Sequence, residues 1–353
     1  EQMTTLIDIE FNPASDPGLA DVMYNILHIP VQKRTAKGAV SWDREALLLA
    51  KEVCTDPKQL EFIRLLQEWK DKDKKCNSFY FAWFKAATAN KTGRLYPEYN
   101  QVGTVTGRMS CENPNIQQVA KDDRYVWLAD IDHLIAFADY SQLEYRFFAH
   151  YAGGELREAY NNDATIDFHQ WVADMIKKIV GIDIERVDAK RINFGKIYGM
   201  GEAKTKQTLI TTGSGNITAD TVHKVVQAYD RKFPQVKGLL QQCSNIARQR
   251  GYVRNLFGRR RRLEKDWAFK AFNALCQGGG ADVAKRAMVM LHDAGYDVRW
   301  QVHDEIGVML PKDCDTEVVK KNICDIMNTA DGGLLSVPLQ TEIIVNDRWC
   351  KSK

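Results

Sequence analysis

The sequence predicts an α+β protein built around a small buried sheet, and three observations lead there. The apolar run His133 to Tyr140, "HLIAFADY", reads as a buried strand closing on a carboxylate. "VRWQVHDEIGVML" (298–310) reads as two short strands turning at His303-Asp304. The long stretches before and between them carry helical apolar spacing, so strands and helices are segregated rather than strictly alternating.

Taken in order, the opening "LIDIEF" reads as a short strand or loop leading to a helix, with a turn signal at Asp16-Pro17-Gly18. Lys33 to Ser41 is a polar loop. From Trp42 to about Ala89 the pattern is helical, with Leu60, Ile63, Leu66 and Trp69 spaced three apart. Gly93, Gly103, Gly107 and Pro114 mark residues 92–120 as loops and short strands. A helix is expected from Gln142 to about Tyr151, and 167–250 is mainly helical with a break near Thr211 to Asn216. "GYVRNLFGRRRRL" (251–263) predicts a hairpin. Residues 268–295 predict a helix whose glycines at 278–280 allow close backbone approach. A last helix and the strand "LQTEIIVNDRW" (339–349) complete the pattern.

Composition narrows the classes. The 353 residues are 44% hydrophobic, enough for a sizeable core. No apolar run approaches the roughly 20 residues of a membrane-spanning helix, and no signal-peptide pattern opens the chain. Eight cysteines include no CxxC pair, which argues against a zinc site and for reduced, buried thiols in the cytoplasm. Net charge is only +3, but basic residues cluster at Lys70 to Lys75, Arg186 to Arg191 and Arg259 to Arg262.

Three constellations carry chemistry. Asp139 ends one strand and Asp304 sits in a distant strand turn; in-line phosphoryl transfer with two metals needs carboxylates converging from separate backbone elements. Read alone, each is more simply an acid capping a strand. Arg186, Lys190 and Phe194 fall at i, i+4 and i+8, with Tyr198 one step further, so two cations and aromatic rings share a helix face suited to a nucleoside triphosphate. Read alone, this is an amphipathic helix with a solvated basic edge. In "NQVGTVTGRMSCENPNIQQ" (100–118), Arg108, Asn115 and Gln117 suit a phosphate backbone or a minor groove, whose acceptors are common to all base pairs. Read alone, it is a polar surface loop.

Together and in order, "ADYSQLEYR" (138–146), "RVDAKRINFGKIYGMG" (186–201) and "QVHDEI" (301–306) resemble the three polymerase motifs of family A DNA polymerases. "TVTGRMSCENPNIQQ" (104–118) resembles the segment preceding the first motif, and "AFNALCQGGGAD" (271–282) the helix between the second and third. The resemblance implies a right-hand fold: a partial helical thumb over 1–93, an antiparallel-sheet palm over 94–166 and 263–353, and helical fingers over 167–262. It implies template-directed addition of dNTPs to a primer 3′-hydroxyl with two Mg²⁺ ions, for which Mn²⁺ substitutes. Asp139, Asp304 and the Tyr140 carbonyl match the metal ligands, and Glu305 a secondary catalytic acid. Gln142, Glu144, His169, Arg186, Lys190, Phe194 and Tyr198 match nucleotide-binding positions, Glu144 as the steric gate against ribose, with Gly199 allowing close approach beside Tyr198. Arg108, Asn115, Gln117, Asn273, Gln277 and His303 match contacts to primer-template DNA.

The sequence also departs from the family. Tyr145 stands where Leu is usual, Val187 where a second Arg is common in bacterial members, and Lys196 adds a charge. The linker from Arg262 to Asn273 is shorter than in bacterial polymerase I. "DIE" at Asp8 to Glu10 is similar to an exonuclease motif, but the chain passes straight into polymerase sequence, so no proofreading domain is expected within it. An upstream exonuclease domain or accessory factor is an expected partner; a membrane is not. The motifs are similar to bacterial and phage members alike, and the compactness points to a phage gene and the bacterial host cytoplasm. A phage-type single-subunit RNA polymerase and a non-catalytic primer-template binding module are the alternatives; Glu144 and Glu305 favour DNA synthesis over the first, and the intact acids and cations favour catalysis over the second.

Overall fold

The computed structural model describes residues 1–89, 92–198 and 219–350, and the chain divides into two units, Glu1–Tyr96 and Pro97–Lys353. The expected break at Thr211 to Asn216 and the expected role of Gly199 lie outside the described residues, as does the Lys196 side chain. No described helix is long and apolar enough to cross a membrane.

The first unit is helical: Gln2–Ile7, Asp16–Asp21, Arg44–Val53, Pro57–Lys75 and Phe81–Ala89. A short helix, Gln2–Ile7, takes in the first two residues of "LIDIEF", and the rest of that segment is loop leading to the next helix, as expected. Asp16-Pro17-Gly18 is the start of a helix rather than a turn, because the Ser15 hydroxyl caps Gly18 N–H at 3.4 Å and Pro17 sits where a helix needs no amide hydrogen. The expected apolar stripe of Pro57–Lys75 is also wider than three-residue spacing suggested. Phe62, Ile63, Leu65 and Leu66 are buried, while Leu60 and Trp69 pack at the margin of that core. Polar starts fix these helices too: Asp43 accepts from Ala46 N–H at 2.9 Å and Asp56 from Lys58 N–H at 3.2 Å.

The second unit is organised by a four-stranded antiparallel sheet. Its strands are β3 (His133–Tyr140), β6 (Asp297–Val302), β7 (Glu305–Pro311) and β8 (Thr341–Asn346), in the order β6-β7-β3-β8. Two small ribbons lie outside it, β1 (Glu98–Asn100) with β2 (Ser110–Glu112), and the expected hairpin of β4 (Tyr252–Arg254) with β5 (Arg260–Arg262). On one sheet face Ala136, Ala138 and Tyr140 of β3 join Ile306, Val308 and Leu310 of β7 in the core. The period of two then sends Asp139 and Glu305 to the other face. The register pairs His133 with Pro311 and Asp139 with Glu305.

Close packing brings helices onto this sheet. The helix Ala271–Asp293 carries the predicted glycines, and they do what the sequence implied. A Cβ on Gly279 would stand 2.3 Å from the Phe147 ring, and one on Gly280 3.2 Å from Leu143. The helix Leu143–Ala152 thereby nests against the glycine face. Glycine within a helix costs roughly 1 kcal/mol relative to alanine; burial of Phe147, roughly 2 kcal/mol or more, offsets one such cost. Gly307 plays the same part within the sheet, its missing side chain filled by the Trp300 ring.

Arg146, at 0% exposure, ties separate segments together. Its guanidinium donates to the carbonyls of Ser141 (2.8 Å), Pro338 (2.5 Å) and Ala164 (2.7 Å) and lies over the Tyr160 ring. Carbonyl dipoles face the charge and each of the three guanidinium nitrogens has an acceptor, which offsets the loss of water on burial.

Candidate active site

The sheet brings the two predicted metal carboxylates together. Asp139 is the penultimate residue of β3, and Asp304 lies in the turn joining β6 to β7, the strand next to β3. Tyr140 N–H donates to the Asp304 carbonyl at 3.3 Å, which closes the two segments on each other. The neighbouring His303 holds φ 56°, a left-handed conformation that permits the tight reversal. The register also places Glu342 of β8 and Glu305 of β7 directly opposite Asp139 on either side. Like charges at such cross-strand positions are destabilising, so a cation is favoured here. Among the described residues no group of three or more His, Cys, Asp or Glu forms a ready-made metal cage. A carboxylate pair completed by substrate phosphates and water is the arrangement that suits Mg²⁺.

A line of hydrogen bonds, joined to Asp304 by a longer ion pair, runs to the predicted nucleotide face. Arg108 Nη2 lies 3.9 Å from Asp304 Oδ1 and donates to Glu144 Oε1 at 2.5 Å. Tyr198 Oη donates to the other Glu144 oxygen at 3.1 Å, and Gln277 Nε2 donates to Tyr198 Oη at 2.9 Å. Glu144 is buried, and its two partners supply the compensation a buried carboxylate requires. Burial pushes the Asp304 carboxyl up to about 6; Arg108 opposes that rise and Glu144 adds to it. Four predicted positions from four separate sequence segments are thus in direct contact.

Behind this line, the helix Arg186–Ile197 presents its predicted face. Lys190 Nζ lies 5.8 Å from the Phe194 ring centroid, and Phe194 stacks near-parallel on Tyr198 at 5.9 Å. Arg186 is half exposed, its Nε 2.5 Å from Asp167, which also caps the helix Phe168–Val180 through His169 N–H and Gln170 N–H. His169 is buried, and Asn193 Nδ2 approaches its Nδ1 at 3.1 Å, so the proton belongs on Nε2 in this arrangement.

Burial, with Lys190 and Arg186 adding to it, lowers the His169 pKa to about 4. The folded protein therefore resists protonation that the unfolded chain accepts near 6.5, and stability is lost as pH falls between those values. Between pH 7 and pH 5 the His169 contribution falls by about 2 kcal/mol. Urea midpoints for the wild type and His169→Gln should therefore converge or cross as the pH is lowered; a difference independent of pH would show that the imidazole is not held neutral.

The departure at Tyr145 acquires a reason. Its ring meets His169 edge-on at 4.6 Å and Phe194 at 5.0 Å, backing two residues of the predicted nucleotide face. Its hydroxyl is buried with no hydrogen-bond partner. Tyr145→Phe should keep the ring contacts and raise stability by about 1 kcal/mol, read as a higher urea midpoint; a fall would reveal a partner for the hydroxyl.

Several of the other predicted residues have their side chains committed within the protein. The Gln142 amide is bonded within the protein: Nε2 donates to the Ile166 carbonyl at 3.1 Å, and Oε1 accepts from Tyr160 Oη and Phe168 N–H. It sits at φ 53° and clamps the chain where β3 gives way to helix. Glu305 lies beside Asp139, but Arg124 Nη1 takes one of its oxygens at 2.9 Å and Trp349 Nε1 the other at 2.6 Å. Arg124 also covers the Trp349 ring at 4.2 Å. Asn115 caps a 3₁₀ turn through Gln117 N–H, and Gln117 Nε2 bonds Gln301 Oε1 at 3.0 Å. His303 remains exposed on its turn, while Asn273 and Gln277 lie one turn apart on the helix Ala271–Asp293. Arg124, Trp349 and Glu342 escaped the sequence reading; the tryptophan in "NDRW" was the one available signal.

The model of DNA polymerase family A matches residues 1–351. The chain belongs to family A of the DNA polymerases. DNA polymerase I of Aquifex aeolicus is 33% identical over 359 residues, covering 98% of this chain and 59% of the relative. The thermostable DNA polymerase I of Thermus filiformis is 32% identical over 286 residues, 74% of this chain and 33% of the relative. The DNA-directed DNA polymerase of Pseudomonas phage M6 is 33% identical over 281 residues, 61% and 41% of the two chains. The chain thus spans about a third to three fifths of the length of these curated relatives. Among solved structures, the POL domain of Pol1 from M. smegmatis in complex with DNA primer-template and dNTP matches with a TM-score of 0.79 and 25% identity, over 99% of this chain and 63% of that one. The α+β architecture is accordingly the polymerase fold of family A.

Proposed function

We propose that this family A chain is a template-directed DNA polymerase that adds dNTPs to a primer 3′-hydroxyl. The observation that carries the proposal is the bonded line Gln277–Tyr198–Glu144–Arg108 reaching Asp304. It joins the nucleotide helix to the acidic sheet face, so one substrate can meet both. In this reading residues 1–93 are a partial thumb, 94–166 and 263–353 the palm, and 167–262 the fingers.

The triphosphate is held by Arg186, Lys190 and Nε2–H of His169. The nucleoside packs beside Phe194, and Glu144 lies beneath the sugar. The buried Glu144 carboxylate, fixed at both oxygens, leaves no room for a ribose 2′-hydroxyl. Arg108, Gln277, Asn273 and His303 follow the primer-template. Asp139, Asp304 and the Tyr140 carbonyl would hold two Mg²⁺ ions, with Mn²⁺ able to substitute, supplying charge neutralisation at the triphosphate and acidification of the primer 3′-hydroxyl. Asp304 must be deprotonated for this, and a divalent cation favours that state. Glu305 keeps the acidic end of the inner strands in position through Arg124 and Trp349. A proofreading activity is assigned to an upstream domain or separate polypeptide, and the setting to the bacterial cytoplasm, with a phage as the source of the gene.

Primer extension tests the proposal. With Mg²⁺ and a matched primer-template the chain should extend with dNTPs far faster than with rNTPs. Extension with rNTPs alone would move the chain to RNA synthesis, and binding without extension would leave a non-catalytic module.

A further inference from the structure

The shortened linker between the basic hairpin and the helix Ala271–Asp293 carries two large rings that the core does not use. Trp267 and Phe269 are 49% and 46% exposed. They lie in the 3₁₀ turn Lys265–Lys270, with ring centroids 5.9 Å apart and planes tilted by 34°. Lys270 Nζ stands 4.0 Å from the Trp267 centroid and 5.8 Å from that of Phe269. Exposing two such rings together forgoes several kcal/mol of possible burial, so their surroundings bear on what covers them.

Those surroundings are cationic. Arg260 and Arg262 are exposed on β5, directly before the turn. Among the described residues, neither they nor Lys265 and Lys270 pair with a carboxylate, whereas Arg259 is held by Asp282 at 2.5 Å. The turn of the hairpin, between β4 and β5, abuts the Arg108 loop: a Cβ on Gly107 would lie 2.9 Å from the Arg259 guanidinium. Past the platform, Asn273 Oδ1 is buried without a donor, and Gln277 bonds Tyr198. Lys270, Asn273 and Gln277 follow at i, i+3 and i+7, so they share one side of the helix. From Lys270 to Gln277 the helix rises about 10 Å, a span of two or three nucleotides.

We propose that Trp267 and Phe269, with Lys270, form a stacking platform for unpaired bases of the template strand, a proposal that rests on the polymerase reading above. Rings with adjacent cations are the features that bind single strands without regard to sequence. Base faces within a duplex are already stacked on one another, so a ring platform needs unpaired bases. In a primer-template the primer is paired up to its 3′ end, and the unpaired strand is the template beyond it. The nearby cations meet the phosphates of the same nucleotides and favour a nucleic acid over a protein partner.

The test compares the intact chain with Trp267→Ala/Phe269→Ala on one duplex carrying template overhangs of one and six nucleotides. Binding is read by fluorescence anisotropy at fixed salt. The wild type should bind the long overhang about tenfold more tightly than the short one, and the double variant should reduce that ratio to below twofold. Trp267→Phe, which keeps a ring, should restore most of it. A ratio unaltered in the double variant overturns the platform and leaves the rings to a protein partner; a wild-type ratio near one overturns it equally. Extension of the one-nucleotide overhang by the wild type is the separate control: its failure would strike the polymerase reading, while its success with no overhang effect strikes the platform alone.

Discussion

Asp304→Asn is expected to lower single-turnover primer extension by roughly a thousandfold or more, equivalent to about 4 kcal/mol of lost transition-state stabilisation. Asparagine keeps the volume of the side chain and removes the charge. In the folded protein that charge is partly buried, with Arg108 at 3.9 Å as its near cation, and burial already pushes the carboxyl up to about 6. The native sheet therefore holds the anion at a cost, and removing it should leave the urea midpoint unchanged or raised. Lost extension in a protein of undiminished stability separates a metal carboxylate from a strand cap. Extension within tenfold of wild type, at any Mg²⁺ concentration, would sink the assignment of Asp304. Asp139→Asn should behave likewise, and the double variant should lose little more than either, since each removes the same divalent centre.

Glu144→Ala should reduce discrimination between dNTPs and rNTPs by on the order of a hundredfold, read as the ratio of kcat/KM values for a matched pair. The geometry separates two causes. If the carboxylate excludes the 2′-hydroxyl by occupying space, Glu144→Gln retains most of the selectivity, because the amide fills the same volume and still accepts from Tyr198. If the charge is what matters, through the Arg108 pair, Gln and Ala behave alike. The alanine variant also strips Arg108 and Tyr198 of their shared acceptor. It should therefore lower dNTP incorporation as well, but by less than it raises ribonucleotide use. Unchanged selectivity in both variants would remove Glu144 from the gate.

Much of the sheet could be read from the chain because its strands are short, apolar and closed by polar turns. "HLIAFADY" and "VRWQVHDEIGVML" fall on β3, β6 and β7, and the glycines at 278–280 fall where a ring and a leucine need space. Asp16-Pro17-Gly18 misled because proline at the start of a helix and proline in a turn share a local signature; the Ser15 hydroxyl decides between them. Local pattern also says nothing about partners remote in sequence. Arg124 reaches Glu305 across 181 positions and Trp349 reaches it across 44, so neither could be read from spacing. The commitment of Gln142 to Ile166, Tyr160 and Phe168 was equally hidden, since a polar side chain beside a catalytic motif looks the same whether it faces a ligand or clamps the backbone.

The strand order β6-β7-β3-β8 also bears on how the protein is made. β3 is synthesised well before both its bonded neighbours, since β7 begins at Glu305 and β8 at Thr341. On the ribosome the segment 133–140 must wait, with two open edges and an apolar face, until Glu305–Pro311 and then Thr341–Asn346 have emerged. At about 5–20 residues per second that wait lasts on the order of ten seconds or more, long for a bare strand in a crowded cell. During it the growing chain is a natural client for holdase chaperones.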